Sequence, residues 1–165
     1  MVEGLPLHAV TLRYFESAGP FTAAVGALTG VPLPPPLTAV TLPGNAAAGA
    51  GVVLAWLRPT ETLAFSEDAA PLAELRDRLA KTAGGQVVDL TGGIKAFRVR
   101  GARAPQLLGR LGSTALALGT GEARRGRLAD VSVLALSVRP EEVLLLVDRA
   151  YAGHLSAWIQ VTLAE

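Results

Sequence analysis

The chain has 165 residues, half of them hydrophobic and 18% charged, and Lys plus Arg exceed Asp plus Glu by one, for a formal net charge of +1. Its only basic cluster, Arg124, Arg125 and Arg127, has no aromatic neighbour for base stacking, which argues against a nucleic-acid partner. Cysteine is absent, which removes thiol catalysis, disulfides, iron–sulfur clusters and Cys-based zinc sites together.

Taken in chain order, Ala9–Leu12 is a short β-type run. Phe21, Val25 and Leu28 then form one helical stripe that Gly30 ends and Val31-Pro32 keeps from continuing. Pro34-Pro35-Pro36 is a stiff connector, read as a rigid loop in preference to an SH3-type ligand. Residues 44–51 form a small-residue loop without the Lys-Ser/Thr or GxGxxG pattern of a phosphate cradle. Val52–Leu57, a turn at Arg58-Pro59-Thr60-Glu61 and Thr62–Phe65 make a hairpin. Ser66-Glu67-Asp68 opens a helix with Leu72, Leu75 and Leu79 on its apolar side, and Gly84-Gly85 stops it.

The next unit pairs Val87–Leu90 with Ile94–Arg100 across Gly92-Gly93 and leads to a helix carrying Leu107, Leu108 and Leu111. Residues 112–123 read as a loop. Val131–Val138 and Val143–Val147 form a last hairpin, and Asp148 caps a closing helix. That helix gathers Tyr151, Leu155, Trp158, Ile159 and Leu163 on one apolar stripe, which makes Trp158 a core residue. Hairpin-plus-helix units thus recur at 52–80, 87–111 and 131–163. They predict an α+β fold with antiparallel or mixed sheets and helices packed on them. The length fits one compact domain, with a subdomain division, if any, near 84–86.

No constellation demands catalysis, so no catalytic residue and no metal site is assigned. Asp89 is the single candidate for ligand binding, as a carboxylate at a strand end, set against a turn-capping role ahead of Thr91-Gly92-Gly93. His8 and His154 stand at opposite ends of the chain and form no ligand pair. Thr60-Glu61 reads as a solvated turn, and the arginines at 124, 125 and 127 as an anion site or a strand-edge guard. No apolar run reaches the length of a membrane span. The start Met1-Val2-Glu3-Gly4 lacks a signal-type pattern, so a cytoplasmic location is expected.

Four segments carry a resemblance. Val87-Val88-Asp89-Leu90-Thr91 followed by Ile94–Gly101 is similar to a block of the aminomethyltransferase (T-protein) folate-binding family. Ala55–Leu63, Leu28–Pro34 and Leu145–Ile159 are similar to its hairpin, its LG-x-x-LP stretch and its closing-helix entry. In order and spacing, over nearly the whole chain, they resemble the gamma subunits of heterotetrameric sarcosine oxidases. Arg58 and Thr62 depart from the hairpin motif, and Gly92-Gly93 interrupts the first block.

The resemblance implies an aminomethyltransferase folate-binding-domain-like fold and a non-catalytic assembly subunit that binds no cofactor itself. Its partners would be alpha, beta and delta subunits, which use FAD, FMN, NAD and tetrahydrofolate to convert sarcosine to glycine, formaldehyde and hydrogen peroxide. The alternative is a stand-alone folate-binding protein of the same fold, for which only Asp89 offers a pterin carboxylate.

Overall fold

The computed structural model describes residues 1–43 and 51–164, so the loop read at 44–51 lies, apart from Gly51, outside the described residues. The elements are β1 (Val2–Leu5), β2 (His8–Tyr14), α1 (Pro20–Thr29), β3 (Ala39–Thr41), β4 (Val53–Arg58), β5 (Glu61–Ser66) and α2 (Ala69–Leu79). There follow β6 (Gly85–Asp89), β7 (Ile94–Arg100), α3 (Ala104–Arg110), a 3-10 turn (Thr114–Leu116), β8 (Ala123–Leu128), β9 (Val131–Arg139), β10 (Glu142–Asp148) and α4 (Arg149–Ala164). The chain is α+β, and every strand pairing is antiparallel.

It divides into two compact units, Leu7–Thr91 on one hand and Met1–Pro6 with Gly92 onward on the other. In the 7–91 unit the sheet order is β3-β4-β5-β2-β6. Its core sets Val10, Leu12, Leu54 and Ala64 of the sheet against Phe21 and Val25 of α1 and Leu72, Leu75 and Leu79 of α2. In the second unit the order is β8-β9-β10-β7-β1, and Val99, Val133, Ala135 and Leu145 pack with Leu107, Leu108, Leu155 and Ile159 of α3 and α4.

These are two versions of one plan. Each unit runs strand, helix, three meandering strands, helix, with the first strand placed beside the last of the three. The difference lies in the outer strand. β6 supplies it to β2 in the first unit, and the N-terminal β1 supplies it to β7 in the second, with Val2 opposite Val99.

The repetition is written in the residues. Val53-Leu54-Ala55 and Arg58-Pro59-Thr60-Glu61 recur as Val133-Leu134-Ala135 and Arg139-Pro140-Glu141-Glu142. Asp68 accepts from the Ala70 N–H at 3.1 Å and Asp148 from the Ala150 N–H at 2.8 Å, each immediately preceding the helix that follows its hairpin.

Three features differ from the sequence reading. Val87–Leu90 and Ile94–Arg100 are not a hairpin: β6 pairs with β2, and β7 lies between β1 and β10. Residues 91–93 carry the chain from one sheet to the other because both ends are tied. The Ala9 N–H donates to the Thr91 hydroxyl at 3.2 Å, and the Arg149 N–H to the Gly93 carbonyl at 2.9 Å. Strands β1, β3 and β8 are additions. Thr60-Glu61 is also no solvated turn. Glu61 opens β5 buried, with Arg13 Nε at 3.1 Å and Arg58 Nε at 3.0 Å. Glu142 repeats the arrangement at the start of β10, with Arg100 Nε at 2.6 Å and Arg98 Nε at 3.6 Å.

Candidate functional site

The residues nominated from sequence fall into structural roles. Asp89 is exposed at the end of β6, and its carboxylate accepts the Thr91 backbone N–H at 2.8 Å, closing an Asx-type turn. That bond, seconded by the Thr91 hydroxyl, holds its pKa below the ordinary 3.8 against a small opposing effect of burial. Asp89 lines neither the cleft between α1 and α2 nor the one beside α3. Asp68 caps α2, and the Ser66 hydroxyl accepts the Asp68 N–H at 3.1 Å.

Arg124, Arg125 and Arg127 are exposed on β8, the edge of its sheet. Arg124 pairs with Glu122 and Arg127 with Asp130, a geometry that suits guarding the edge against strand addition. His8 lies on β2 and His154 on α4, and among the described residues no three His, Cys, Asp or Glu side chains gather as a metal site. The imidazole of His154 bonds through Nε2 to the Ala129 carbonyl at 3.0 Å. That carbonyl belongs to the two-residue turn between β8 and β9, where Ala129 and Asp130 both take positive φ (47° and 63°).

The feature that stands apart is α4. Leu155, Ile159 and Thr162 face the core, following one another at intervals of four and three. Trp158 does not join them: it is 50% exposed, with Tyr151 at 56%, Val161 at 54% and Leu163 at 55%. The single apolar stripe expected from the sequence is two neighbouring faces of the helix. Tyr151, His154, Trp158 and Val161, spaced by three, four and three, form a second stripe beside the buried one.

The His154 and Trp158 rings lie 6.5 Å apart, centroid to centroid. From Ala150 to Ala164 the helix carries no Asp, Glu, Lys or Arg. Four of the seven exposed large hydrophobic side chains among the described residues lie on this one helix. A helix with water as its permanent neighbour carries charges on its outer face, and α4 instead offers aromatic and aliphatic surface suited to burial against another protein.

A single counterpart within the chain makes the contrast sharper. Counting from the capping Asp68 and Asp148, Leu75 of α2 corresponds to Leu155 of α4, and Leu79 to Ile159. The same count sets Glu74 and Arg78, joined at 3.5 Å, against His154 and Trp158. Two buried positions are kept in both helices, and the charged pair is exchanged for an aromatic one. Among the described residues no helix is long and apolar enough to cross a membrane.

No family model matches the sequence, and no curated protein matches it. Solved structures do. The first is a chain of heterotetrameric sarcosine oxidase from Corynebacterium sp. U-96, with TM-score 0.82 and 24% identity over 99% of this chain and 83% of that one. The glycine cleavage system aminomethyltransferase T from Bartonella henselae matches with TM-score 0.69 and 17% identity, over 96% of this chain but only 44% of the enzyme. The regulatory subunit of aspartate kinase from Thermus thermophilus matches more loosely, at TM-score 0.50 and 11% identity. At these identities the likeness is one of fold: the α+β arrangement is that of the sarcosine oxidase chain and of the aminomethyltransferase folate-binding fold.

Proposed function

We propose that this chain is a gamma-type assembly subunit of a heterotetrameric sarcosine oxidase complex, and that it docks through the uncharged outer face of α4. The observation that carries the reading is the exchange of the Glu74–Arg78 ion pair for the exposed His154–Trp158 pair on a helix that keeps buried side chains at the positions of Leu75 and Leu79. Trp and Tyr are the residues most often found to dominate interface energetics, because each buries a large rigid surface at little entropic cost. Seating Tyr151, Trp158 and Val161 against an equally uncharged face of a larger subunit leaves no charge of α4 beyond Arg149 to be desolvated. The likeness in fold and in length to a chain of such a complex supports the choice of partner.

On this reading the larger alpha, beta and delta subunits hold FAD, FMN, NAD and tetrahydrofolate and oxidise sarcosine to glycine, formaldehyde and hydrogen peroxide. This chain would complete the assembly without an active site of its own, in the cytoplasm. The alternative of a stand-alone folate protein fits less well. A pterin ring needs a carboxylate free to accept its N–H groups, and the carboxylate of Asp89 is engaged by Thr91 outside either cleft. The test is co-expression with the alpha, beta and delta subunits of the same genome. The chain should co-elute with them in equimolar amount, and should self-associate when purified alone. A lone chain that is a clean monomer at high concentration and never joins those subunits would overturn the proposal.

A further inference from the structure

A second surface, separate from the aromatic stripe of α4, has the chemistry of a small-molecule site. Beside α3 lies a cleft of about 440 Å³, in the size range of pockets that hold small ligands. Its lining includes Arg103, Gln106, Leu107 and Arg110, which follow one another by three, one and three residues and therefore line one side of α3 from its N-cap to its last residue. Arg100 of β7 and Thr162 and Leu163 of α4 contribute the facing walls, with Val99 and Ala104 as the apolar floor.

Three guanidinium groups thus border one concavity, and no Asp or Glu appears among its described lining residues. Two of the three are positioned by the fold. Arg110 donates through Nη1 to the Thr162 carbonyl at 2.8 Å, and Arg100 through Nε to Glu142 at 2.6 Å. Arg103, exposed at the start of α3, has no ion pair among the described residues. Arg110, in the last turn of α3, also complements the helix dipole, whereas the charge of Arg103, ahead of the first turn, does nothing for the helix itself.

We infer that this cleft binds a small amphipathic carboxylate. Its carboxyl group would be received by Arg103 and Arg110, and its short aliphatic body would lie against Leu107, Ala104 and Val99. A guanidinium fork matches a carboxylate in geometry and forms the stronger, charge-assisted kind of hydrogen bond. The apolar floor selects against a bare inorganic anion. This inference is independent of the docking proposal, because the residues it uses are not those of the Tyr151–Trp158–Val161 stripe.

The test is calorimetric titration of the full chain with octanoate, octan-1-ol and inorganic phosphate, read in parallel by amide chemical shifts. Octanoate should bind saturably and shift the amides of Ala104 and Leu107, while octanol and phosphate each bind at least about tenfold more weakly. Arg103→Gln, at an exposed position that leaves the core untouched, should lose about tenfold in octanoate affinity, and Arg103→Lys should recover only part of it. Arg76→Gln on α2 should change nothing. Phosphate binding as tight as octanoate, octanol binding as tight as octanoate, shifts confined to other residues, or an Arg103→Gln chain that binds octanoate like the wild type would each overturn the inference.

Discussion

Helices α2 and α4 close the two units in the same way and meet the outside in opposite ways. Each begins at an aspartate that follows a hairpin with an Arg-Pro-x-Glu turn, and each buries side chains at matching positions, Leu75 with Leu155 and Leu79 with Ile159. On its outer side α2 carries Glu74, Arg76, Asp77 and Arg78, linked in ion pairs. On its own outer side α4 carries Tyr151, His154, Trp158 and Val161. Burial requirements constrain the inner faces equally, so they stay alike. The outer faces are free to diverge, and the direction of divergence reports what each one touches.

The largest effects should fall where the copies agree. Leu155→Ala and Leu75→Ala each remove a buried leucine from a two-helix, one-sheet core. Each should cost about 2–5 kcal/mol in chemical unfolding. A cost below about 1 kcal/mol at either position would break the equivalence of the two helices.

The paired glutamates sharpen the comparison further. Glu142→Gln should cost about 2 kcal/mol, because Arg98, its deeper partner, has a side chain only 11% exposed and would lose part of its compensation. Glu61→Gln should cost about half as much, because Arg13 and Arg58 both reach water. Equal losses in denaturant titrations would show that burial of the arginines does not set the difference.

The smallest effect concerns Asp89. Its pKa is lowered in the folded chain by the Thr91 N–H, so its ionised form favours folding above the ordinary carboxylate value of 3.8. That contribution is lost as the pH falls through the lower, folded value. Asp89→Asn should therefore reduce stability slightly at neutral pH and flatten the acid limb of the stability curve below pH 3.8. A variant whose acid limb is unchanged would show that the turn does not draw on the charge.

Much of this fold is legible in the residues. The stripe Leu72, Leu75, Leu79 and the caps Asp68 and Asp148 specify their helices through local spacing and local hydrogen bonds. So do the hairpins at Pro59-Thr60 and Pro140-Glu141. What local pattern does not carry is partnership. β6 and β7 are adjacent and suitably spaced for a hairpin, yet each finds its partners at a distance in sequence, through ties at Thr91 and Gly93.

Gly85 is a similar case. It reads as a helix stop, but it opens β6 where a Cβ would come within 2.4 Å of the Phe21 ring and 2.6 Å of the Arg13 carbonyl. The two Arg-Pro-x-Glu turns mark Glu61 and Glu142 as equivalent positions in the sequence, while their burial against arginines depends on partners distant along the chain. The sequence pattern places Trp158 in the core for a plainer reason. In a helix with no charges from Ala150 to Ala164, hydrophobicity ceases to distinguish the inner face from the outer.

The central claim is that the outer face of α4 is kept apolar for a partner, and one measurement tests it most directly. Wild-type chain, Trp158→Glu and Arg78→Glu, each co-expressed with the alpha, beta and delta subunits, are compared by size-exclusion chromatography at matched concentration, alongside unfolding of each chain alone. Trp158 is half exposed, so Trp158→Glu should leave unfolding within about 1 kcal/mol of wild type. It should nevertheless abolish co-elution, while Arg78→Glu, at the corresponding place on α2, should assemble normally. A Trp158→Glu chain that enters the complex as readily as wild type would contradict the account.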